Sequence, residues 1–335
     1  GDWWAPCPFH GEKTAFFHVD DQKGFYYCFG CHAKGDAVTF LREAEGLGFM
    51  EAVAVMASEA GLSMPERGPR EQALRRFAER GHSPVIIAGF SAAQAVDKVA
   101  QEFPDTEFAI IDMVVDQPNV RSVVFKEQEG SYLAGIMAAK ASETGTVGFV
   151  GGMNVPLISA FACGYVGGVK SVNPGAEVIV NYTGDTPAAW NDPVRGGEIT
   201  NAQISQGADV VYAAAGGTGI GVLQAAADAG KLSVGVDSNQ NHLQPGSVLT
   251  SMLKRVDVAV MEAMKDGMEG NFSTGVQVLG VAEDGVGVAI DENNEPLVTE
   301  EMMQAVEEAR EKIISGEIEV HDFRSDNTCP YGSVG

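Results

Sequence analysis

GADVVYAAAGGTGIGVLQAAADAGKLSVGVDSN, residues 207–239, decides the fold of the larger part of the chain. An apolar run typical of a β-strand, 209–215, meets a glycine cluster; a helical segment follows to Gly230, and a second β-type run ends at Asp237. Glycines tolerate positive φ and allow close backbone approach, and the first helical turn leaves N–H groups unpaired. The pattern predicts strand, tight turn, helix and strand, with a ligand crevice at this edge of a parallel sheet.

The glycine cluster also raises a different hypothesis, a dinucleotide-dependent enzyme. The glycines of residues 216–221 do not form a clean G-x-G-x-x-G, although Asp237 stands where an acid could bind a ribose. Such an enzyme would need an acid/base or nucleophile constellation, and none is recognisable beside this unit. A purely structural interpretation is that the glycines turn the chain over the sheet. Failure of nicotinamide nucleotides to bind would remove the enzymatic hypothesis.

Apolar runs and helical segments alternate from residue 83 onward. The other β-type runs lie at 84–89, 108–114, 121–125, 146–150, 177–182, 248–253, 275–281 and 285–290. Continuous apolar runs separated by helices are typical of strands that are buried on both faces of a parallel sheet. The pattern predicts an α/β fold, and the number of strands favours two lobes over one.

Composition indicates two different parts. A chain of 335 residues is long enough for two or three domains. Its net charge of −24 disfavours broad attraction to nucleic acid or anionic membranes, and this charge is uneven, −3 over residues 1–77 and −21 over the remainder. Four of the six histidines and three of the five cysteines precede residue 83. The shift predicts domains at 1–65 and 83–335, with 66–82 as a linker or a helical continuation.

A second decisive pattern lies near the start of the chain. Cys7-Pro-Phe-His10 is followed after 17 residues by Cys28-Phe-Gly-Cys31. Two ligands two residues apart fit one knuckle turn, and two knuckles supply the four N/S donors of a structural, tetrahedral Zn²⁺ site. Two β-type runs between the knuckles predict the hairpin of a zinc ribbon.

Other arrangements of this module are open. His18 and His32 are alternative ligands, the first within a predicted strand and the second just past the last cysteine. The four residues could also be reduced and free of metal, but a module this small needs a metal to be stable. The symmetric pair of knuckles is the simplest interpretation.

The motif CPFHGEKTAFFHVDDQKGFYYCFGCHAKGDAVTFL, residues 7–41, carries a family resemblance together with the amphipathic pattern around 49–53. Residues 1–70 resemble the zinc-binding domain of bacterial DNA primases. The resemblance implies contact with single-stranded template, with bases on aromatic side chains and phosphates on lysines. The candidates, each of which could instead be an ordinary surface lysine or core aromatic, are Lys13, Lys23, Lys34, Trp3, Trp4 and Phe29. No primase catalytic core follows, so primer synthesis is not expected.

Motifs spread over the remainder carry a second resemblance. They are FAIID (108–112), VVFKE (123–127), LAG (133–135), VGFVGGM (147–153), WNDP (190–193), AAAGGTG (213–219), GVDS (235–238) and LTSMLKR (249–255). Residues 80–331 resemble the basic membrane protein family of substrate-binding proteins, the purine nucleoside receptors of ABC importers. The resemblance implies a two-lobed, type I periplasmic-binding-protein-like α/β fold with parallel sheets, here preceded by a small zinc-ribbon domain, and binding without enzymatic chemistry.

The second resemblance also implies a ligand site. Asp112 and Asp237, at strand ends, would accept hydrogen bonds from ribose hydroxyls or base N–H groups. Trp190 would stack on the base, Lys254 would donate to the sugar, and Gly217 would give close backbone approach. Each has an alternative: Asp237 could cap a turn, Lys254 could be a solvated charge, and Trp190 could pack the lobe.

One departure from the second family concerns the first lobe. The family's initial strand, helix and second strand have no counterpart, and the primase-like segment stands in their place. The first lobe is therefore expected to expose apolar surface and unpaired backbone groups. The chain is interpreted as a fusion of two truncated modules.

The leading hypothesis is a solute-binding receptor of an ABC importer, for purine nucleosides, with the importer's permease as partner and an N-terminal zinc module. The alternative is a zinc module that binds single-stranded DNA and carries a passenger domain. A receptor would be periplasmic or membrane-anchored and a primase module cytoplasmic; neither a signal peptide nor a transmembrane run is recognisable. An oxidising compartment would allow a bridge between Cys163 and Cys329, but nothing in the sequence places them together, so they are expected to remain thiols.

Overall fold

The computed structural model describes residues 2–11, 13–45, 52, 55, 56 and 68–334. The chain divides into two compact units, Gly1–Gln72 and Ala73–Gly335.

The first unit is built on a four-stranded antiparallel sheet with the order β1-β2-β3-β4. Its elements are β1 (Asp2–Ala5), β2 (Phe17–Asp20), β3 (Phe25–Cys28), β4 (Lys34–Asp36) and helix α1 (Ala37–Glu45). β2 and β3 form the hairpin expected between the knuckles, and Gly24 in their turn has a positive φ of 60°. The outer strands were not predicted, because β1 is exposed along its whole length and β4 has only three residues.

The core of the first unit is small. Its hydrophobic cluster contains four buried residues, Cys7, Phe17, Tyr26 and Cys28. The Phe17 and Tyr26 rings stack with centroids 5.2 Å apart, and Phe40 of α1 closes the cluster. Half of the buried cluster is therefore supplied by the cysteines of the knuckles.

The second unit contains ten strands and eight helices within the described residues. The strands are β5 (Val85–Ala88), β6 (Phe108–Ile111), β7 (Val120–Phe125), β8 (Thr146–Met153), β9 (Glu177–Gly184), β10 (Val210–Ala214), β11 (Leu232–Asp237), β12 (Val248–Lys254), β13 (Gly275–Leu279) and β14 (Val286–Val288). The helices are α2 (Pro69–Glu79), which begins before the unit boundary, α3 (Ala93–Glu102), α4 (Glu127–Ala141), α5 (Pro156–Val172), α6 (Pro193–Ser205), α7 (Gly219–Asp228), α8 (Val256–Glu269) and α9 (Glu300–Ser315). None of the described helices combines the length and apolar character needed to cross a bilayer.

Two sheets define two lobes in this unit. The first lobe has the order β13-β7-β6-β5, all parallel, and the second has β14-β12-β11-β10-β8-β9, parallel except for β14 against β12. Within the described part of the chain, β5 pairs with β6 alone and forms an edge of the first sheet. The two-lobed α/β architecture predicted from the alternating apolar runs is confirmed.

Residues 66–82, expected to be a linker or a helical continuation, include helix α2. Leu74 and Ala78 on this helix are buried against Val96 and Phe108 in the core of the first lobe. The division between the compact units, after Gln72, therefore falls inside a helix rather than in an extended connection.

The sheet of the second lobe is buried on both faces. Phe149 and Tyr212 pack with α4 and α5 on one face, and their neighbours Val150 and Val211 pack with α6 and α7 on the other. Side chains alternate across a strand, so such neighbours must face opposite layers. Continuous apolar runs are the sequence signature of this arrangement, as predicted.

The chain crosses between the lobes three times. The crossovers lie at 125–127, from β7 to α4, at 254–256, from β12 to α8, and at 279–286, from β13 to β14. They are tied together by backbone hydrogen bonds: Lys126 N–H donates to Leu279 O at 3.0 Å, and Arg255 N–H donates to Gly285 O at 2.8 Å. We call these three crossovers the hinge of the second unit.

Helices α4 and α5 approach each other to backbone contact. A Cβ added to Gly168 would lie 2.0 Å from the carbonyl oxygen of Tyr132, and one added to Gly164 would lie 2.2 Å from that of Gln128. Real Cβ atoms do not come so close to backbone oxygens, so only glycine fits at these two positions. We call this contact the glycine seam.

The last part of the chain, residues 316–334, is called the C-terminal segment. Cys329 in this segment forms a disulfide with Cys163 of α5, with a Cα–Cα distance of 5.6 Å. The prediction that both remain thiols is therefore wrong, because a sequence separation of 166 residues carries no sign of their proximity. The segment is fixed again at its end, where the Tyr182 hydroxyl donates to the carbonyl oxygen of Val334 at 2.6 Å.

Candidate functional site

Two predicted carboxylates occupy equivalent places in the two lobes. Asp112 directly follows β6 in the first lobe, and Asp237 ends β11 in the second. Both have positive φ, 74° and 64° respectively. Residues other than glycine adopt this conformation rarely, and those that do cluster at ligand sites. Both positions lie at the carboxyl ends of parallel strands, where open α/β sheets place their ligands.

Lys254, at the end of β12, joins these carboxylates at the hinge. Its Nζ lies 2.9 Å from Asp112 Oδ1 and 3.8 Å from Asp237 Oδ1. The lysine side chain is 6% exposed, whereas that of Asp237 is 51% exposed. The structure thus brings together three of the five predicted ligand residues, with one carboxylate from each lobe.

Charge balance in this cluster depends on its burial. Burial lowers the pKa of Lys254, but Asp237, Asp112 and Glu127 together raise the pKa above its usual value, so the ammonium remains charged. Desolvation raises the pKa of Asp237, and the opposing effect of Lys254 is smaller. The cluster therefore presents a fixed cation next to a carboxylate that is accessible to a solute.

Glu127, the first residue of α4, is a member of the cluster that sequence reasoning did not assign. Its side chain is 1% exposed, and Oε1 lies 3.9 Å from Lys254 Nζ. On its other side, Oε2 lies 3.0 Å from Nη1 of Arg324 in the C-terminal segment. Burial raises the pKa of Glu127 to about 7, although Lys254 and Arg324 act to lower it. Glu127 stands in the VVFKE motif, but no local pattern indicates its distant partner.

The other two predicted residues lie together elsewhere in the second lobe. Trp190 ends a short 3-10 turn and is partly buried against β8, where a Cβ added to Gly152 would lie 2.3 Å from its ring. A Cβ added to Gly217 would lie 3.1 Å from the carbonyl oxygen of Trp190. Within the described residues, no hydrogen bond or ion pair connects Trp190 with the cluster around Lys254.

The glycines after β10 have a packing role. Gly216 adopts a positive φ of 57° as the chain leaves the strand. A Cβ added to Gly221 would lie 1.8 Å from the carbonyl oxygen of Pro193, the first residue of α6. The cluster therefore turns the chain and lets α7 pack closely on α6, which is the structural interpretation of this stretch.

A cavity of about 680 Å³ opens next to Asp112. Its walls are mainly apolar, with Val114 from the first lobe and Leu157 from the second, while Arg324 adds a polar side chain from the C-terminal segment. Phe125, whose ring centroid lies 5.6 Å from Lys254 Nζ, also lines it. The volume suits a small organic solute.

The first unit holds a second constellation. One ligand atom from each of Cys7, His10, Cys28 and Cys31 lies within 4.8 Å of all the others. The Cys7 and Cys31 sulfurs are 3.8 Å apart, the edge of a tetrahedron with zinc–sulfur bonds of about 2.3 Å. The backbone N–H of Gly30 donates to Cys28 Sγ at 3.3 Å, as is usual around a metal-bound thiolate. Donor chemistry and spacing both fit Zn²⁺.

The two alternative histidines are engaged elsewhere. His18 Nε2 lies 3.4 Å from an Asp2 carboxylate oxygen, and its ring packs on Trp4 with centroids 4.6 Å apart. His32 Nδ1 and the Tyr27 hydroxyl are hydrogen-bonded at 2.9 Å. The geometry favours the symmetric pair of knuckles.

An aromatic surface lies beside the knuckles. Trp3, Trp4 and Phe29 are each more than half exposed, and the Trp4 and Phe29 rings are stacked with centroids 5.8 Å apart. Of the candidate lysines, Lys23 pairs with Asp20 at 2.8 Å in the hairpin turn. Lys13 and Lys34 are exposed.

Family models match both parts of the chain. Residues 48–323 match the family described as ABC transporter substrate-binding protein PnrA-like. Residues 1–72 match the family described as CHC2 zinc finger, so the two matches overlap between residues 48 and 72. Both resemblances inferred from the sequence are confirmed.

Similar proteins of known sequence agree with the first of these matches. A CD4+ T-cell-stimulating antigen of Listeria monocytogenes is 35% identical over 69% of this chain and 68% of its own. The ABC transporter nucleoside-binding protein BmpA of Lactococcus lactis is also 35% identical, over 72% of each chain.

Solved structures agree with the fold. A solute-binding protein of an ABC transporter system from Aeropyrum pernix matches with a TM-score of 0.68 and 30% identity, over 81% of this chain and 87% of its own. A solute-binding protein from Conexibacter woesei matches with a TM-score of 0.62 and 22% identity, over 82% and 93%, which shows the fold alone.

Proposed function

This chain belongs to the PnrA-like family of ABC transporter substrate-binding proteins, and on this premise we propose that its second unit binds a purine nucleoside for the permease of an ABC importer. One observation carries the proposal: Asp112 of the first lobe and Asp237 of the second converge on Lys254 at the hinge. A solute bound at this point would contact both lobes and could hold them closed. The relative from Lactococcus lactis, named as nucleoside-binding, supports the choice of ligand class.

The chemistry of the cluster suits a nucleoside. Carboxylates accept hydrogen bonds from ribose hydroxyls, the Lys254 ammonium can donate to them, and such charge-assisted bonds are stronger than neutral ones. Trp190 offers a flat face to a base once the lobes close, and Gly217 admits close backbone approach. Nothing in this assignment requires a reaction, so the role is binding and release.

Isothermal titration with inosine, guanosine and adenosine tests the proposal. We expect saturable binding by the wild-type chain and at least a roughly tenfold loss of affinity for Asp237→Asn, since a hydrogen bond to a charged group contributes about 1.5–3 kcal/mol. Asp185→Asn, at an exposed aspartate in another loop, is the matched control and should bind like wild type. Equal affinity of Asp237→Asn and wild type, or no heat from any nucleoside with a cooperatively melting sample, would contradict it.

The donor set of the first unit favours a second candidate function. Cys7, His10, Cys28 and Cys31 would hold one Zn²⁺, which would supply folding energy rather than chemistry in a closed four-ligand site. The stacked Trp4 and Phe29 then offer a platform for unpaired bases. We propose that this module binds single-stranded DNA.

Fluorescence titration with a single-stranded oligonucleotide at two salt concentrations tests the second function. Binding should weaken as salt rises and disappear after chelation of zinc. Trp4→Ala should weaken it, while Phe77→Ala, at an exposed ring outside the zinc module, serves as control. Salt-independent binding, or binding that survives chelation, would contradict the assignment.

We infer an oxidising compartment for the second unit, periplasmic or membrane-anchored at the cell surface. The Cys163–Cys329 bridge is the supporting observation, because structural disulfides persist where the surroundings are oxidising. Alkylation of the denatured, chelator-treated protein isolated from its natural source should label the three cysteines of the first unit only. Labelling of all five would place the chain in a reducing compartment.

A further inference from the structure

The hinge carries a buried charge that the proposed ligand contacts do not use. Glu127 begins α4 at the first crossover, and Lys254 ends β12 at the second. Both carboxylate oxygens of Glu127 are buried, and the group is held by its ion pairs with Lys254 and Arg324. A buried carboxylate is costly to maintain, and replacing it with an apolar side chain is often stabilising. Its presence at the hinge therefore calls for a role other than stability.

The partner of Glu127 comes from the far end of the chain. Arg324 Nη1 lies 3.0 Å from Glu127 Oε2, and Nη2 donates to the carbonyl oxygen of Phe125 at 3.0 Å, on the same crossover. The guanidinium is oriented from behind by Asp322, which accepts from Nε at 2.9 Å. The Cys329 disulfide, five residues further on, fastens the C-terminal segment to α5. Arg324 is thus delivered to the hinge by a segment that is anchored beyond it, at Cys329 and at Val334.

The contacts form a continuous relay of alternating charge, Arg324, Glu127, Lys254 and then Asp112 and Asp237. An ammonium has three N–H donors, and here three carboxylates surround it. Glu127 adds a third attraction on the Lys254 ammonium, from a distance of 3.9 Å. Without it, Lys254 would be attracted only to Asp112 and Asp237, the groups that a solute must reach.

We propose that Glu127 and Arg324 are positioning residues for solute binding, which hold the Lys254 ammonium between the carboxylates of the two lobes. The inference rests on the proposed function, because it concerns the same cleft. It assigns a binding-support role to the C-terminal segment, which contributes Arg324 and lines the cavity with Asp322. Glu127, whose side chain is 1% exposed, acts through Lys254 and not by contact with the solute.

The test is solute affinity as a function of pH, between pH 5.5 and 8.5, measured with the nucleoside that binds wild type best. The charged groups around Glu127 are Lys254 from β12, Arg324 from the C-terminal segment, and Asp112 from the first lobe, while Asp322 pairs with Arg324. Wild-type affinity should fall as the pH drops through about 7, where Glu127 takes up a proton. Glu127→Gln should bind about tenfold more weakly at pH 8, with affinity nearly independent of pH in this range.

Substitutions of Arg324 distinguish a role in positioning Lys254 from simple attachment of the C-terminal segment. Arg324→Gln removes a neighbouring cation, so the pKa of Glu127 should rise further and the midpoint of the affinity profile should move to higher pH. Arg324→Lys keeps the charge and should leave the midpoint close to wild type. A purely structural pair would lower the melting temperature without moving this midpoint, which would overturn the proposal.

The outcomes distinguish this inference from the proposed function. Wild-type binding with an unchanged profile in Glu127→Gln overturns the positioning role alone, whereas absence of binding by wild type overturns both. If Glu127→Gln does not fold, the Arg324→Gln midpoint decides the question. Glu308→Gln, at an exposed glutamate on α9, is the matched control and should follow wild type at every pH.

Discussion

The two units use cysteine in opposite chemical states. Cys7, Cys28 and Cys31 are unbridged in the first unit, whereas Cys163 and Cys329 are joined in the second. The difference follows the size of the cores. The first unit has a cluster of four buried residues, two of them cysteines, while the second buries extended apolar layers on both faces of a sheet. A small module needs a metal in place of a core, and a large one needs a covalent bond only to fasten a segment.

The largest expected effect comes from removing a zinc ligand of the first unit. Cys28→Ser should abolish zinc binding and unfold the first unit, since zinc supplies on the order of 10 kcal/mol to such modules. Metal analysis together with two-dimensional NMR of the wild-type and variant chains measures both effects. The second unit should keep its melting transition and its nucleoside affinity. Loss of that transition as well would mean that the two units fold as one.

Removal of the disulfide tests how much the covalent bond stabilises the second unit. The double variant Cys163→Ala, Cys329→Ala should lower the free energy of unfolding of the second unit by about 4 kcal/mol, because the bridge closes a long loop of the unfolded chain. Urea unfolding of the oxidised wild type and the variant gives the difference. Zinc content should remain unchanged. A stability within 1 kcal/mol of wild type would show that the packing of the C-terminal segment alone holds it.

A smaller effect is the dependence of the second unit's stability on pH. Glu127 has its pKa raised from 4.5 to about 7, so its contribution to stability is fully present below about pH 4.5 and is lost as the pH rises through 7. The Glu127→Gln variant cannot titrate at this position. Between pH 4.5 and 8, the free energy of unfolding of the wild-type second unit should fall by about 3 kcal/mol relative to that of the variant. Urea unfolding at four pH values measures this difference. A difference that stays constant with pH would contradict the raised pKa.

The smallest effect should leave both folds intact. Trp4 is 54% exposed, and its replacement by alanine should change neither zinc content nor the melting of either unit. Affinity for single-stranded DNA should fall about fivefold or more, because stacking on one base contributes about 1–3 kcal/mol. Unchanged DNA affinity would mean that the exposed aromatic side chains do not bind DNA.

Much of the fold could be predicted because its signals are local. The strand, turn and helix from 209 to 230 appear as β10 and α7, since continuous apolar residues and glycines act over a few positions. The knuckle spacing likewise places four zinc donors without knowledge of the remaining chain. Strand β1 was missed because an exposed four-residue edge strand carries no alternation of burial.

The site was predicted only in part, because its remaining contacts are not local. Asp112, Asp237 and Lys254 stand at strand ends, where topology alone brings them to the hinge. The pairing of Glu127 with Arg324 depends on the path of the C-terminal segment, which no periodicity indicates. The ligand-binding roles of all five residues stay predictions, and Trp190 and Gly217 pack together within the second lobe, away from the other three.

The glycine seam connects the Cys163–Cys329 disulfide with the charge relay at Glu127. Cys163 is adjacent to Gly164, which rests on the backbone of Gln128, and Gln128 is adjacent to Glu127. Within six residues, the C-terminal segment therefore contacts the seam twice, through the ion pair of Arg324 and through the disulfide of Cys329. The C-terminal segment is therefore attached to both helices of the seam, to α4 through Arg324 and to α5 through the disulfide. Because both helices belong to the second lobe, a movement of the first lobe would leave the Arg324–Glu127 pair assembled, whereas the contact of Lys254 with Asp112 joins the two lobes.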